Sequence, residues 1–306
     1  MEPHCFIHAE FAPISRAKEE RETPMPVRKL PVRPDALPPF RPVVARLLAE
    51  LSGEPSGFRR IRLLVSEDPA LAAQVLRLAN SALFGRRGEV TDLLSALTLI
   101  GLDRLRALVL TYGVRHLFRP VARLPQARAI WRHSLATAIL AADLALDQDG
   151  DMMEFYTAGL LHDLGRLVLL ASEPEAYAIL LEQACGPVHS LELERELFGL
   201  PHCDAGARAM RRYGLPEPLA EAARLHHHAD PLELSRTSPD AALVASSCLL
   251  ASDTGFAVLA PHRQAAPAGD SGEEDCREQD DLCLYLRERV AEIELELGLA
   301  LPDAAA

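Results

Sequence analysis

The sequence has few aromatic residues, almost no lysine and no long apolar run. Aromatic residues make up 5% of the 306 residues, and only two of the 32 basic residues, Lys18 and Lys29, are lysines. An arginine at a position where lysine is common therefore carries little functional information. Because no apolar run approaches 18 residues and no charged-then-apolar leader follows Met1, we expect a cytoplasmic protein that has no membrane partner and is not secreted.

The charge and the cysteines argue against two further classes of protein. A net charge of -12 argues against nucleic-acid binding, since a phosphate backbone requires a basic protein face. The cysteines form no CxxC pair and have no regular spacing, which predicts reduced thiols rather than a disulfide framework or a zinc knuckle. The six cysteines are Cys5, Cys185, Cys203, Cys248, Cys276 and Cys283.

Apolar residues recur at helical spacing along most of the chain, and no alternating strand pattern of any length occurs. Leu and Ala dominate a composition that is 49% hydrophobic, which favours helix. We therefore predict an all-α fold with two helical halves. The predicted organisation is a disordered tail over 1–34, an N-terminal helical half over 35–120, a second helical half over 121–258, an acidic disordered linker over 259–281 and a C-terminal helix over 282–299.

Four residues predict how the helix containing ALAAQVLRLA begins and ends. Asp68 followed by Pro69 is typical of a helix start, with an N-cap side chain and a proline at the first helical position. At the other end, Asn80 and Ser81 carry short polar side chains that can bond free carbonyl groups or cap the next turn. We predict a structural role for all four residues.

The segment LLHDLGRLVLL, residues 160–170, places His162 and Asp163 in the middle of an apolar stretch, within a helix predicted over 153–171. A buried carboxylate is costly unless it is paired or coordinates a metal. One interpretation is a tight helix crossing at neighbouring small residues, with Asp163 paired to Arg166. The other interpretation is a metal site, which requires further ligands elsewhere in the chain.

Candidate ligands are spread over the second half of the sequence. Imidazole and carboxylate together suit Fe, Mn or Zn, and a bridging carboxylate suits two metals. Each candidate also has a structural interpretation: a polar group at a helix start, histidines that favour a helix C-terminus, or an aspartate in a turn. The candidates are His133, His202, His226, His227, His228 and Asp253.

Their order, H…HD…H…HH…D, resembles the pattern of the HD phosphohydrolase superfamily. The segments DPALAAQVLRLANSALFG and LLSALTLIGLDRLRALVL are similar to the HDOD domain, the HD-related output domain of bacterial signalling proteins. ERELFGLPHCDAGARAM and LPEPLAEAARLHHH continue the resemblance, which covers about 37–255. It implies an HDOD fold with an HD-like bundle in the second half. The metal ligands it implies are His133, His162, Asp163, His202, His226, His227 and Asp253.

The resemblance implies two alternative functions. In active relatives the aspartate of the HD pair bridges two metals that activate water, and here Asp163 and Arg166 would take part in such a reaction. The related HD-GYP phosphodiesterases carry a Gly-Tyr-Pro loop after the paired histidines, whereas this chain has no glycine between Gly214 and Gly255. We therefore expect a regulatory signal-transduction module without catalysis, which binds signalling proteins or a nucleotide second messenger. The alternative is a metal-dependent phosphohydrolase, and the metal can be absent in the regulatory case.

Overall fold

The computed structural model describes residues 29–52, 57–81, 89–148, 150–228, 230–259 and 273–296, and this part of the chain contains helices and no strand. The predicted all-α class is confirmed. The helices are α1 (Pro42–Ser52), α2 (Phe58–Ser66), α3 (Pro69–Ala79), α4 (Leu93–Ile100), α5 (Leu102–Leu117), α6 (Pro125–Leu146), α7 (Met152–Leu161), α8 (Leu164–Ser172), α9 (Pro174–Gln183), α10 (Pro187–Phe198), α11 (His202–Arg212), α12 (Glu217–Leu225), α13 (Pro231–Thr237), α14 (Pro239–Ala251) and α15 (Glu273–Glu296). Two 3-10 turns (Pro34–Ala36 and Arg119–Val121) and a π-helical turn (Ser252–Phe256) complete the set.

The two halves share one hydrophobic core. In the first half α1 packs on α5, and α3 packs on α4. In the second half the 22-residue helix α6 is the central element, and it packs against α7 and α14. Trp131 of α6 is fully buried and stacks edge-on against Phe118 at the end of α5, with ring centroids 5.5 Å apart. This contact ties the second half to the first.

The predicted start of α3 is confirmed. The Asp68 side chain accepts hydrogen bonds from the backbone N–H groups of Ala70 and Leu71, at 3.1 and 3.3 Å. Pro69 occupies the first helical position, where no N–H is needed. Asp68 is buried and also pairs with Arg41, at 2.7 Å, so the cap anchors α3 to the segment before α1.

At the other end of α3, Asn80 has the structural role that we predicted. Its side-chain amide donates to the carbonyl oxygens of Leu76 and Val90, at 2.9 and 2.8 Å, and its Oδ1 accepts from the Val90 N–H at 2.7 Å. Asn80 therefore joins the end of α3 to the chain that enters α4. The Ser81 hydroxyl is buried and finds no hydrogen-bond partner within the described residues, so the predicted cap by Ser81 is not observed.

Replacing Asn80 with leucine is expected to lower the free energy of unfolding by roughly 1–3 kcal/mol, because leucine leaves the N–H and C=O of Val90 without these partners. Denaturant unfolding measures the change. Arg77→Leu, at an exposed position one turn earlier on α3, is the control and should change the stability far less. Equal stabilities for wild type and the Asn80 variant would show that the three bonds contribute nothing.

The segment predicted as one helix over 153–171 is two helices. Helix α7 ends at Leu161 and α8 begins at Leu164, with Asp163 at φ -97° and ψ 17° between them. The Arg166 N–H donates to the Asp163 carbonyl oxygen at 3.0 Å, which starts the new helix. The break turns the chain at His162 and Asp163, a geometry that helical periodicity cannot reveal.

Two boundary predictions are corrected. Residues 29–34 do not belong to a disordered tail, because the Leu30 N–H donates to the Leu197 carbonyl oxygen and the Arg33 N–H to Ser172 Oγ, both at 2.8 Å. Residues 273–281 belong to α15 rather than to a linker. The remaining predictions of disorder, over 1–28 and 260–272, and the last three residues of the predicted C-terminal helix lie outside the described residues.

The cysteines that the structure describes fully are all free thiols, namely Cys185, Cys203, Cys248 and Cys283. Cys5 and the side chain of Cys276 lie outside the described part. None of the described helices combines the length and the apolar character needed to cross a bilayer.

Candidate metal centre

Four of the predicted histidines surround Asp163, and each comes from a different element. They lie in the middle of α6 (His133), directly after α7 (His162), at the first position of α11 (His202) and directly after α12 (His226). All five side chains are buried, with at most 3% of their surface exposed. Buried polar groups in this number need partners within the cluster.

Asp163 presents one carboxylate oxygen to each of two histidine pairs. Its Oδ2 lies 3.8 Å from His133 Nε2 and 3.9 Å from His162 Nε2. Its Oδ1 lies 3.4 Å from His202 Nε2 and 3.5 Å from His226 Nε2. The carboxylate is therefore shared between two sets of nitrogen ligands.

Glycines at two helix crossings let these elements approach so closely. A Cβ atom on Gly165 would overlap the His202 carbonyl oxygen and lie 2.7 Å from the Gly206 nitrogen. A Cβ atom on Gly159 would lie 2.8 Å from the Ala138 Cα. The predicted tight crossing is thus observed, and it holds α8 against α11 and α7 against α6.

The Nδ1 atoms of three histidines are bonded to backbone carbonyl oxygens. His133 Nδ1 lies 3.0 Å from the Phe256 oxygen, and His162 Nδ1 lies 2.6 Å from the oxygen of Gly159. His226 Nδ1 lies 2.7 Å from the Ala223 oxygen. A carbonyl oxygen only accepts hydrogen bonds, so each Nδ1 carries the proton and the Nε2 of the neutral ring carries a lone pair.

The Nε2 atoms face one another in pairs. His133 Nε2 is 3.2 Å from His162 Nε2, and His202 Nε2 is 3.3 Å from His226 Nε2. In neutral rings the two Nε2 lone pairs repel at this distance unless a proton or a cation lies between them. Two nitrogens bound at about 2.0–2.1 Å to one cation are separated by about 3 Å, so the observed spacing fits a shared metal ion.

Each pair has a third possible ligand. Three groups of three residues could each hold a metal ion, because the ligand atoms within each group all lie within 4.8 Å of one another. The first group adds a cysteine to His133 and His162, the second adds His227 to His202 and His226, and the third joins His162, Asp163 and His226. The cysteine is Cys248 of α14, whose Sγ lies 3.5 Å from His133 Nε2. Sequence reasoning missed Cys248, which stands within the apolar run AALVASSCLLA and carries no local signal.

The predicted ligand Asp253 is corrected. It is exposed and belongs to none of these three groups. The reason is the π-helical turn that follows α14, in which Gly255 takes φ 94°. This turn brings the Phe256 carbonyl oxygen to His133 and leaves Asp253 facing solvent. His228, the third consecutive histidine, is also exposed, and its Nδ1 lies 3.0 Å from the Asp230 carbonyl oxygen.

Two buried charged side chains, Arg166 and Glu194, support the cluster. Arg166 Nε donates to both oxygens of Asp163 at 3.2 and 3.1 Å, as the first interpretation predicted. Arg166 Nη1 lies 3.6 Å from Glu194 Oε1. Glu194 is fully buried and accepts from His202, through its backbone N–H and its Nδ1, both at 2.7 Å. Sequence reasoning missed Glu194, because a glutamate on the amphipathic helix α10 has the pattern of a surface residue.

The electrostatic environment differs between the two histidine pairs. Burial lowers the pKa of His133 to about 4 although Asp163 opposes the shift, and burial lowers the pKa of His162 well below its usual value. Burial lowers the pKa values of His202 and His226, but the nearby Cys203 and the carboxylates of Glu194 and Asp163 raise them to about 9 and about 10. Burial opposes ionisation of Asp163, yet Arg166 and the histidines hold its pKa well below 3.8. An ionised Asp163 is therefore ready to balance positive charge.

A cavity of about 320 Å³ leads to the second histidine pair. It lies between α10, α13 and α14 and reaches His226 and the half-buried His227. Its other walls are mostly apolar, with Val188, Leu191 and Leu249 among them. No lysine or arginine occurs among the described residues that line this cavity.

Comparisons with known proteins agree with this architecture. The sequence model of the HDOD domain family matches residues 37–229. An uncharacterised protein of Treponema pallidum is 31% identical over 169 residues, and this match covers 54% of the chain but only 32% of that relative. The chain thus spans about a third of the length of this relative.

Two solved structures show the same fold. One is a presumed phosphohydrolase from Shewanella amazonensis, with a TM-score of 0.59 and 23% identity over 89% of this chain and 96% of that protein. The other is an HDOD domain protein of unknown function from Geobacter sulfurreducens, with a TM-score of 0.59 and 22% identity over 86% of this chain and 92% of that protein. At these identities the similarity establishes the helical fold alone.

Proposed function

This chain belongs to the HDOD family, which is related to the HD phosphohydrolases, and from that premise we propose that it is a regulatory signal-transduction module built around a metal centre. The observation that supports the metal is the convergence of four histidine Nε2 atoms on the two oxygens of Asp163. The regulatory role would be exerted on signalling proteins, in response to a partner or a small ligand.

The donor set indicates where cations would bind. One cation would be bound by His133, His162 and Cys248. A second cation would be bound by a group of three histidines. Asp163 would contribute one oxygen to each. The nitrogen, oxygen and sulfur donors suit Fe, Mn or Zn, and such a cation supplies Lewis acidity that lowers the pKa of a water molecule. The second group is His202, His226 and His227.

The surroundings of the centre favour regulation over catalysis. A phosphoester needs cationic or N–H groups to hold its oxygens during reaction, and the described walls of the cavity at His227 offer no lysine or arginine. Arg166, the nearest buried cation, is already bonded to Asp163, Tyr177 and Ser190. The chain also has no glycine between Gly214 and Gly255 with which to build a substrate loop of the Gly-Tyr-Pro type.

Metal-dependent phosphohydrolysis is the second candidate function. It is favoured by the division of the Asp163 oxygens between two ligand groups, an arrangement that suits a two-metal site. The cavity that reaches His227 provides a route by which a small phosphoester could approach that group.

Hydrolysis of bis(p-nitrophenyl) phosphate by the metal-loaded full chain distinguishes the two functions. The metal content of each sample is measured in parallel. We expect bound metal and a hydrolysis rate no higher than that of Asp163→Asn, with Asp253→Asn as the matched control that should retain metal. A metal-dependent rate that is lost in Asp163→Asn and kept in Asp253→Asn would replace the regulatory proposal with the enzymatic one.

A further inference from the structure

A second cavity, of about 530 Å³, carries a cluster of arginines. It lies between the start of α6, the π-helical turn at 252–256 and α15. Arg128 and Arg132 of α6 and Arg287 of α15 line it, and no acidic side chain occurs among its described lining residues. Its volume is in the range of pockets that bind small molecules.

Arg132 is held at the wall of this cavity by an aromatic ring and a carboxylate. Its guanidinium carbon lies 5.6 Å from the centre of the Phe256 ring. Its Nε is 3.6 Å from Glu294 Oε2, too far for a hydrogen bond. The Nε atom is buried and has no hydrogen-bond partner within the described residues. A buried donor without an acceptor at hydrogen-bond distance is rare in folded proteins.

The start of α6 adds to the positive potential of the cavity. The helix begins at Pro125, which lines the cavity, and its first turn has neither an acidic residue nor a side-chain cap. The N-terminus of a helix carries partial positive charge and favours anions. The helix dipole and the three arginines, which come from two separate elements, therefore act on the same space.

We propose that this arginine cavity binds a small phosphorylated molecule of about the size of a nucleoside monophosphate, with its phosphate on Arg132 and Arg287. Guanidinium groups match phosphate oxygens in geometry and in charge. The inference deepens the proposed regulatory function and rests on it for its biological role. Phe256 contacts Arg132 through its ring, and its carbonyl oxygen accepts a hydrogen bond from His133. Phe256 would therefore be the residue that separates the bound ligand from the metal centre.

Isothermal titration of the full chain with GMP, at constant ionic strength, tests the proposal. We expect saturable binding that inorganic phosphate competes away. Arg132→Gln and Arg287→Gln should each weaken it about tenfold or more, because each removes charge-assisted hydrogen bonds to the phosphate. Arg208→Gln, at an exposed position on α11 outside the cavity, should bind like wild type. Arg287 is exposed, so its variant tests the cavity even if Arg132→Gln fails to fold.

GMP binding measured after a chelator has removed the metal distinguishes this site from the metal centre. GMP binding that survives metal removal and is weakened about tenfold or more in Arg287→Gln supports the arginine cavity. Absence of saturable binding, or binding that both arginine variants retain, overturns the proposal. The proposed function would still stand in that case if the protein holds metal without hydrolysing the phosphodiester, whereas hydrolysis would overturn the proposed function and leave the GMP result intact.

Discussion

Replacing Asp163 with asparagine is expected to abolish metal binding and to lower the free energy of unfolding of the metal-free chain by roughly 3–5 kcal/mol. Asp163 is the carboxylate that faces both histidine pairs, and it accepts two hydrogen bonds from the buried Arg166. An amide removes the negative charge and leaves the guanidinium without its closest counterion. Metal analysis after reconstitution and denaturant unfolding measure the two effects.

Asp253→Asn is the matched control for this experiment. Sequence reasoning assigned Asp253 to the ligands, whereas the structure places it on the surface, so its variant should match wild type in both metal content and stability. Metal retained by Asp163→Asn and lost from Asp253→Asn would reverse our assignment of the ligands.

Gly165→Ala is expected to have the second large effect, a loss of roughly 3 kcal/mol or more in stability. The added methyl group would overlap the His202 carbonyl oxygen and lie 2.6 Å from the carbonyl carbon. These are backbone atoms at the start of α11, so the methyl group can be accommodated only if α8 and α11 separate. That separation would also move His202 away from Asp163 and weaken metal binding.

Gly113→Ala provides a graded comparison on α5. There the added methyl group would meet the Val44 side chain, at 2.6 Å from Cγ1. Because a side chain can shift more easily than a backbone, we expect a smaller drop in the thermal midpoint than for Gly165→Ala. A Gly165→Ala protein with the same thermal midpoint as wild type would contradict the close crossing of α8 and α11.

Local signals in the sequence predicted the start of α3 correctly. Asp68 with Pro69 predicted the start of α3, because capping and the proline ring act within one turn. The same signal occurs at Asp230 and Pro231, where the Asp230 carboxylate caps α13, a helix that we did not predict. The predicted boundary of α15 was wrong because acidic residues suggested disorder. Acidic residues in a first turn also favour a helix start, and Leu286 and Val290 anchor this helix in the core.

The candidate site was predictable only in part. Polar residues in apolar surroundings identified His162 and Asp163, since buried charge needs compensation. Cys248 and Glu194 give no such signal, because a cysteine in an apolar run and a glutamate on an amphipathic helix are both ordinary. Asp253 shows the converse error, in which the order of residues along the chain suggested a ligand that the backbone turn directs to solvent.

Anomalous X-ray diffraction from crystals of the full chain soaked with Mn²⁺ or Zn²⁺ tests the central claim most directly. We expect two peaks on either side of the Asp163 carboxylate, one bonded to His133 and His162 and the other to His202 and His226, at the ~2.0–2.3 Å typical of such bonds. Peaks confined to surface residues under saturating metal, with no density between the paired Nε2 atoms, would contradict the account.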